Sequence, residues 1–257
     1  NYFHVVFTIP NELNILCLMD PKFMYKALFD VSAETIKELS KDKKYLGAKI
    51  GFTSVLHTWG QNLSLHPHIH MIVPGGGIDS NGKWKNSKKK FFLPVKVVSK
   101  LFKGKFLSYT KKNFDQRKIK DEEQFQNIIN TCYSKDWVVY TKKPMKSAKH
   151  VVKYLGRYTH RIAISNARIK KYEDNKVTFS YKDYSDHNQI KEMTLDDTEF
   201  FRRYMMHVLP PNFMKIRHYG FLGNRNKEER IKAVRTATNT KNPGPLLIDY
   251  EQIISDI

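Results

Sequence analysis

Apolar residues in this chain fall into short strand-like runs separated by longer stretches of helical spacing. "HVVFTIP" (residues 4–10) reads as a strand. Between residues 21 and 46, Phe23, Leu28, Ile36 and Leu39 recur at helical intervals, which predicts two helices. "AKIGFTSVLHTW" (48–59) reads as a strand, and "HIHMIVP" (68–74) as its hairpin partner. Helices are predicted over 95–112 and 121–132, then a strand over "WVVYTKKP" (137–144). Ser147 is a fair N-cap for a helix whose apolar stripe is Val151, Val152 and Leu155. Strands follow near 161–170, 176–182 and 189–195, with turns at "EDN" and "SDHN". A helix near 196–207, a strand at "MKIRHYG" and a basic helix near 226–236 complete the pattern. Hairpin-joined strands interrupted by helices point to an α+β domain with a mostly antiparallel sheet. It is expected to occupy residues 1–240, with a tail over 241–257 whose last dozen residues follow "NPGP".

One strand carries unusual chemistry. "LSLHPHIHMIVPGGG" (63–77) places His66, His68 and His70 at alternate positions. Side chains on a strand alternate between faces, so His68 and His70 share one face while Ile69 points to the other. Two imidazoles about 7 Å apart along the backbone can converge on one metal ion. Val, Ile and the closing Pro-Gly-Gly-Gly favour strand over helix.

Composition sets the partner. Lys and Arg number 45 against 25 Asp and Glu, for a net charge of +20, which implies a polyanion. Between residues 83 and 120 there are fourteen Lys/Arg against one Asp. The 14 Tyr and 16 Phe suit unpaired bases, which stack on aromatic rings. No apolar run of about 18 residues exists to cross a bilayer. Cys17 and Cys132 are far apart and form no CxxC pair, so no disulfide or zinc-ribbon framework is visible. Reduced cysteines and the lack of a signal peptide point to the cytoplasm. The chain opens directly on a strand pattern without an initiator Met, as expected of a fragment whose preceding segment is missing.

The helix near residue 150 carries a second signal. Tyr154 and Tyr158 are spaced i, i+4 and share a face. Lys149, Lys153 and Arg157 form a basic ridge beside them, and His160 and Arg161 crowd the same segment, a poor core but a good phosphate environment. A tyrosine hydroxyl, with a pKa near about 10, is a weak nucleophile unless the phosphate it attacks is polarised. Metal-binding histidines and a nearby tyrosine are the parts needed to cut a phosphodiester through a covalent ester.

"HPHIH" resembles the His-hydrophobic-His motif of HUH endonucleases, and "YLGRYTHRIAISN" the two-tyrosine motif of bacterial rolling-circle insertion-sequence transposases. "YFHVVFTIP", "LHTWGQNLSLHPHIHMIVPGGG", "WVVYTKKP" and "IRHYGFLGNRN" resemble that family's other blocks in the same order, over roughly residues 2 to 235. The resemblance implies an HUH endonuclease fold, with catalytic tyrosines on a helix facing the metal-site strands. It implies a bacterial, nucleoid-associated transposase that nicks and rejoins single-stranded DNA at transposon ends through 5′-phosphotyrosine links. Tyr154 and Tyr158 match the nucleophiles, His68 and His70 the metal ligands, and Mg²⁺ or Mn²⁺ the working ion. Members usually carry an N-terminal cysteine-rich zinc-binding segment, which this sequence lacks.

Three residues compete to be the third ligand. A tight hairpin around residues 62–63 would set His57 opposite His68, Gln61 lies seven before His68, and His66 could support the site or contact DNA. Lys153, Arg157, His160, Arg161 and Arg217 are expected to bind DNA. Two other functions fit the same residues: a replication initiator or relaxase-like nickase, and a non-catalytic nucleic-acid-binding module with a structural metal.

Overall fold

The computed structural model describes residues 2–87, 92–119, 121–145, 156, 163–242 and 244. Within them the chain is α+β, as its pattern predicts. Strand β1 (Tyr2–Thr8) leads through a 3-10 turn into helices α1 (Asn14–Met19) and α2 (Pro21–Lys41). Next come β2 (Phe52–Trp59), β3 (Leu65–Pro74) and a small hairpin of β4 (Gly76–Ile78) with β5 (Trp84–Asn86). Helices α3 (Val95–Asn113) and α4 (Glu122–Ser134) precede β6 (Val139–Met145). Strands β7 (Ile169–Glu173), β8 (Lys176–Asp183) and β9 (Gln189–Asp196) lead to α5 (Asp197–Met205), β10 (Ile216–Tyr219) and α6 (Lys227–Thr238).

The central sheet runs β10-β2-β3-β1-β6, and every neighbouring pair is antiparallel. Alternation gives it two different faces. Phe3, Val5, Phe7, Phe52, Leu56, Ile69, Met71 and Val73 join one large core with side chains from α1 to α4. Phe7 meets Phe102 of α3 edge to face at 4.9 Å between ring centroids, and Phe102 meets Trp137 in the same way at 5.3 Å. The opposite face carries His4, Val6 and Thr8 of β1, His68, His70 and Ile72 of β3, and Thr53, Val55 and His57 of β2.

Where 21–46 was expected to form two helices, there is one, Pro21–Lys41. No Gly or Pro interrupts it after Pro21, and Met24, Leu28, Val31, Ile36 and Leu39 stay buried along one side. Asp20 caps it by accepting from the Phe23 N–H at 3.0 Å, and Pro21 occupies a first-turn position where its missing donor costs nothing. Its far end gives way to a loop in which the Asp42 carboxylate accepts from the Lys44 N–H at 2.8 Å.

The strand expected over 161–170 also changes. Ala163 adopts a left-handed φ of 53°, and Asn166–Arg168 form a 3-10 turn, so extended pairing starts only at Ile169. From there β7, β8 and β9 make a separate antiparallel meander. The "EDN" turn closes its first hairpin, with Asp174 and Asn175 at φ 48° and 56°, the twist a two-residue hairpin loop favours. At the end of β10, Gly220 has φ +60°, and a Cβ there would stand 1.8 Å from the Ile50 carbonyl oxygen, so only glycine fits.

The helix near residue 150, its Ser147 cap, and the residues beyond Gly244 lie outside the described residues. Among the described residues no helix is long and apolar enough to cross a membrane.

Candidate metal centre

The site is built on the β2–β3 hairpin. Registration pairs His57 with His68 and Val55 with His70, so the three imidazoles lie side by side on two adjacent strands. One ring nitrogen from each of His57, His68 and His70 falls within 4.8 Å of the others. The Nε2 atoms of His68 and His70 are 3.1 Å apart. The hairpin turn spans Gly60 to Ser64, where the Gly60 N–H donates to the Ser64 carbonyl at 2.9 Å.

Each imidazole has a support behind it. His68 donates its Nδ1–H to the carbonyl of His66 at 2.6 Å. A carbonyl can only accept, so this bond puts the proton on Nδ1 and leaves the Nε2 lone pair aimed at the cluster. His70 Nδ1 lies 2.8 Å from Nε2 of His4, and those two rings stack with centroids 5.1 Å apart. His57 stacks on Trp59, two residues along the same strand face, at 4.6 Å. Burial pushes the His68 pKa down to about 4, against the hydrogen bond to the His66 carbonyl, which raises it, so the ring is neutral at ordinary pH and able to ligate. Burial also lowers the pKa of His66.

This donor set fits a divalent cation. Two nitrogens bound to one ion at about 2.1 Å each would stand about 3 Å apart, as the two Nε2 atoms do. Three imidazoles converging on a sheet face can hold an ion through their ring nitrogens and leave positions open for substrate oxygens.

Of the three candidates for third ligand, His57 is the one brought to the cluster. Gln61 sits in the hairpin turn, and its side-chain amide donates to the Tyr184 hydroxyl at 3.4 Å. The His66 ring lies beside His68, centroids 5.2 Å apart, and its contribution to the site is its carbonyl. Arg217, on β10, lies 4.3 Å over the Phe29 ring and 3.6 Å from Asp30 of α2, so its charge is already engaged within the protein. Tyr154, Tyr158, Lys153, Arg157, His160 and Arg161 lie outside the described residues.

Four residues that the sequence pattern did not single out shape the site. The first is His4. The others grip the hairpin turn, whose successive carbonyls at Gln61, Asn62 and Leu63 accept from Arg168, Arg203 and His207 respectively. Arg168 also donates to the Ser180 carbonyl at 2.7 Å and so ties the turn to β8. Leu63, with φ 61°, is fully buried in the second core with Ala163, Val177, Phe179 and Phe200.

Residues 51–230 match the profile of a family described as "Putative transposase". The chain is 42% identical over 254 residues to a protein of Sinorhizobium fredii (strain NBRC 101917 / NGR234) named "Putative transposase y4qJ", covering 95% of this chain and 64% of that protein. It is 30% identical over 247 residues to the "Transposase for insertion sequence element IS801" of Pseudomonas savastanoi pv. phaseolicola, covering 94% of this chain and 59% of that protein. The chain therefore spans less than two thirds of either relative. No solved structure matches it.

Proposed function

Because the chain belongs to the "Putative transposase" family, we propose that it is the endonuclease part of a rolling-circle transposase, cutting and rejoining single-stranded DNA at element ends. The convergence of His57, His68 and His70 carries this reading. In it, residues 1–240 are the endonuclease domain and 241–257 a tail. The three histidines hold a divalent cation, Mg²⁺ or Mn²⁺ in use, which when bound withdraws charge from the scissile phosphate.

Tyr154 and Tyr158 are the nucleophiles. A tyrosine hydroxyl loses its proton and its oxygen bonds to phosphorus. The bond from phosphorus to the 3′-oxygen breaks, and that oxygen leaves and takes up a proton. The product is a 5′-phosphotyrosine and a free 3′-OH, so the bond energy is kept for rejoining. The second tyrosine permits a second transfer before the first link is resolved. Lys153, Arg157, His160 and Arg161 grip the phosphates on either side of the cut.

The test is incubation with end-labelled single-stranded oligonucleotides and Mn²⁺. We expect a denaturant-resistant protein–DNA adduct that peptide mass spectrometry maps to Tyr154 or Tyr158. The Tyr154→Phe/Tyr158→Phe double variant should form none while still binding DNA, because phenylalanine loses only the hydroxyl. An active preparation with phosphotyrosine at neither position would overturn the assignment. Binding without cleavage under all conditions would favour a non-catalytic module.

A further inference from the structure

We infer that His4 is a positioning residue for the metal centre, holding His70 in the one tautomer and orientation that can ligate an ion. The inference rests on the reading that His57, His68 and His70 hold a cation.

His4 stands on β1, opposite Ile72, while His70 stands opposite Val6. The two histidines are therefore diagonal neighbours on the same sheet face. Both are buried, at 4% and 9% exposure. Nε2 of His4 is 2.8 Å from Nδ1 of His70, and the ring planes lie 15° from parallel. A ring held at one nitrogen and stacked along its plane has little freedom to swing.

The chemistry then fixes the direction of the bond. His70 offers Nε2 to the cluster, 3.1 Å from Nε2 of His68. For that Nε2 to give its lone pair to a cation, the single proton of the neutral ring must sit on Nδ1. Nδ1–H then donates to Nε2 of His4, whose own proton is on its Nδ1. His4 thus does for His70 what the His66 carbonyl does for His68. Supports of this kind behind ligating imidazoles raise their basicity and lock their tautomer, and removing one costs about 10- to 100-fold in metal affinity.

His4→Phe keeps a stacked ring and buried bulk but cannot accept a hydrogen bond. His4→Gln keeps an acceptor. Calorimetric titration with Mn²⁺, and the visible spectrum with Co²⁺ as probe, should separate acceptor from packing. We expect His4→Phe to bind Mn²⁺ about 10- to 100-fold more weakly, with an altered Co²⁺ spectrum, and His4→Gln to stay within about threefold of the parent chain. Should His4→Phe fail to fold, nitrogen-15 imidazole spectra of the parent chain loaded with Zn²⁺ decide the matter. His70 must then appear as the Nδ1–H tautomer, and an Nε2–H signal overturns the inference. So does parental affinity in folded His4→Phe, or equal loss in both variants, which would reduce His4 to packing. If the parent chain binds no ion, the metal reading itself has failed. If the parent binds, His70→Ala does not and His4→Phe is normal, only the role of His4 is lost.

Discussion

The central sheet and the outer meander are built to different standards. The central sheet rests on a core that includes Phe3, Phe7, Leu28, Phe29, Phe52, Ile69, Phe102 and Phe106, all at 1% exposure or less. Among the described residues the outer meander has a core of five buried residues, and one of these, Leu63, is lent by the central hairpin. Strand β7 is exposed along its whole length. The three clustered imidazoles sit on the well-packed sheet, and Arg168, Arg203 and His207, from the segments that flank the meander, hold the turn beside them. Rigid strands fix the direction of the imidazoles, while a marginal neighbour controls how firmly the loop between them is held.

The largest effect should come from the central core. Phe7→Ala removes a fully buried ring and should cost about 3–5 kcal/mol of global stability in urea unfolding. Phe179→Ala, its counterpart in the outer core, should open the meander alone. Hydrogen exchange should rise in β7 to β9 and stay slow in β1 to β3. Equal protection loss in both sheets would erase the distinction.

Next in size is the metal centre. His57→Ala should weaken Mn²⁺ binding by 100-fold or more, or about 2.7 kcal/mol, while Gln61→Ala should change it little. Titration calorimetry ranks the two, and a larger loss for Gln61 would reassign the third ligand.

Arg168→Ala probes the grip between the sheets. It frees the Gln61 carbonyl and the link to Ser180, at a cost of about 1.5–3 kcal/mol to the meander. Metal affinity should fall by less than in the histidine variants. Unchanged meander protection in hydrogen exchange would show that the grip does not couple the two.

Acid should produce the smallest effect. Burial lowers the pKa of His66, His68 and His207 below 6.5, and partial desolvation with the nearby Lys227 charge lowers that of the more exposed His218. The unfolded chain then takes up protons that the folded chain resists, so stability is greatest above pH 6.5 and declines as pH falls below it. His68 sustains the decline to about pH 4. Melting followed by circular dichroism should show a loss on the order of a few degrees between pH 7.5 and 5.5. Constant melting across that range would contradict neutral, buried imidazoles.

Much of this was legible in the chain. Strand parity alone put His68 and His70 on one face, and a tight hairpin put His57 opposite His68, both as observed. His4 was not legible, because its part depends on β1 lying beside β3, a pairing across 66 residues from His4 to His70. Arg168, Arg203 and His207 were hidden for another reason. Their acceptors are backbone carbonyls, which leave no mark in residue identity. The single α2 was misread as two because its stripe is interrupted by buried small and polar residues, Ala27, Ser32 and Thr35.

The position of the hairpin along the chain also sets an order of events during synthesis. His4, His57, His68 and His70 all precede residue 71, while the donors that hold the turn come at 168, 203 and 207. Ribosomes add about 5–20 residues per second, and a hairpin closes in about 1–10 μs. The histidine-bearing strands can therefore pair several seconds before β6 and β10 exist to cover their flanks. Through that interval β1 and β2 present open edges, the form of strand most prone to pairing with another chain. An ion captured then would staple the hairpin while its edges wait for partners. The clustered histidines would in this way also act on the growing chain.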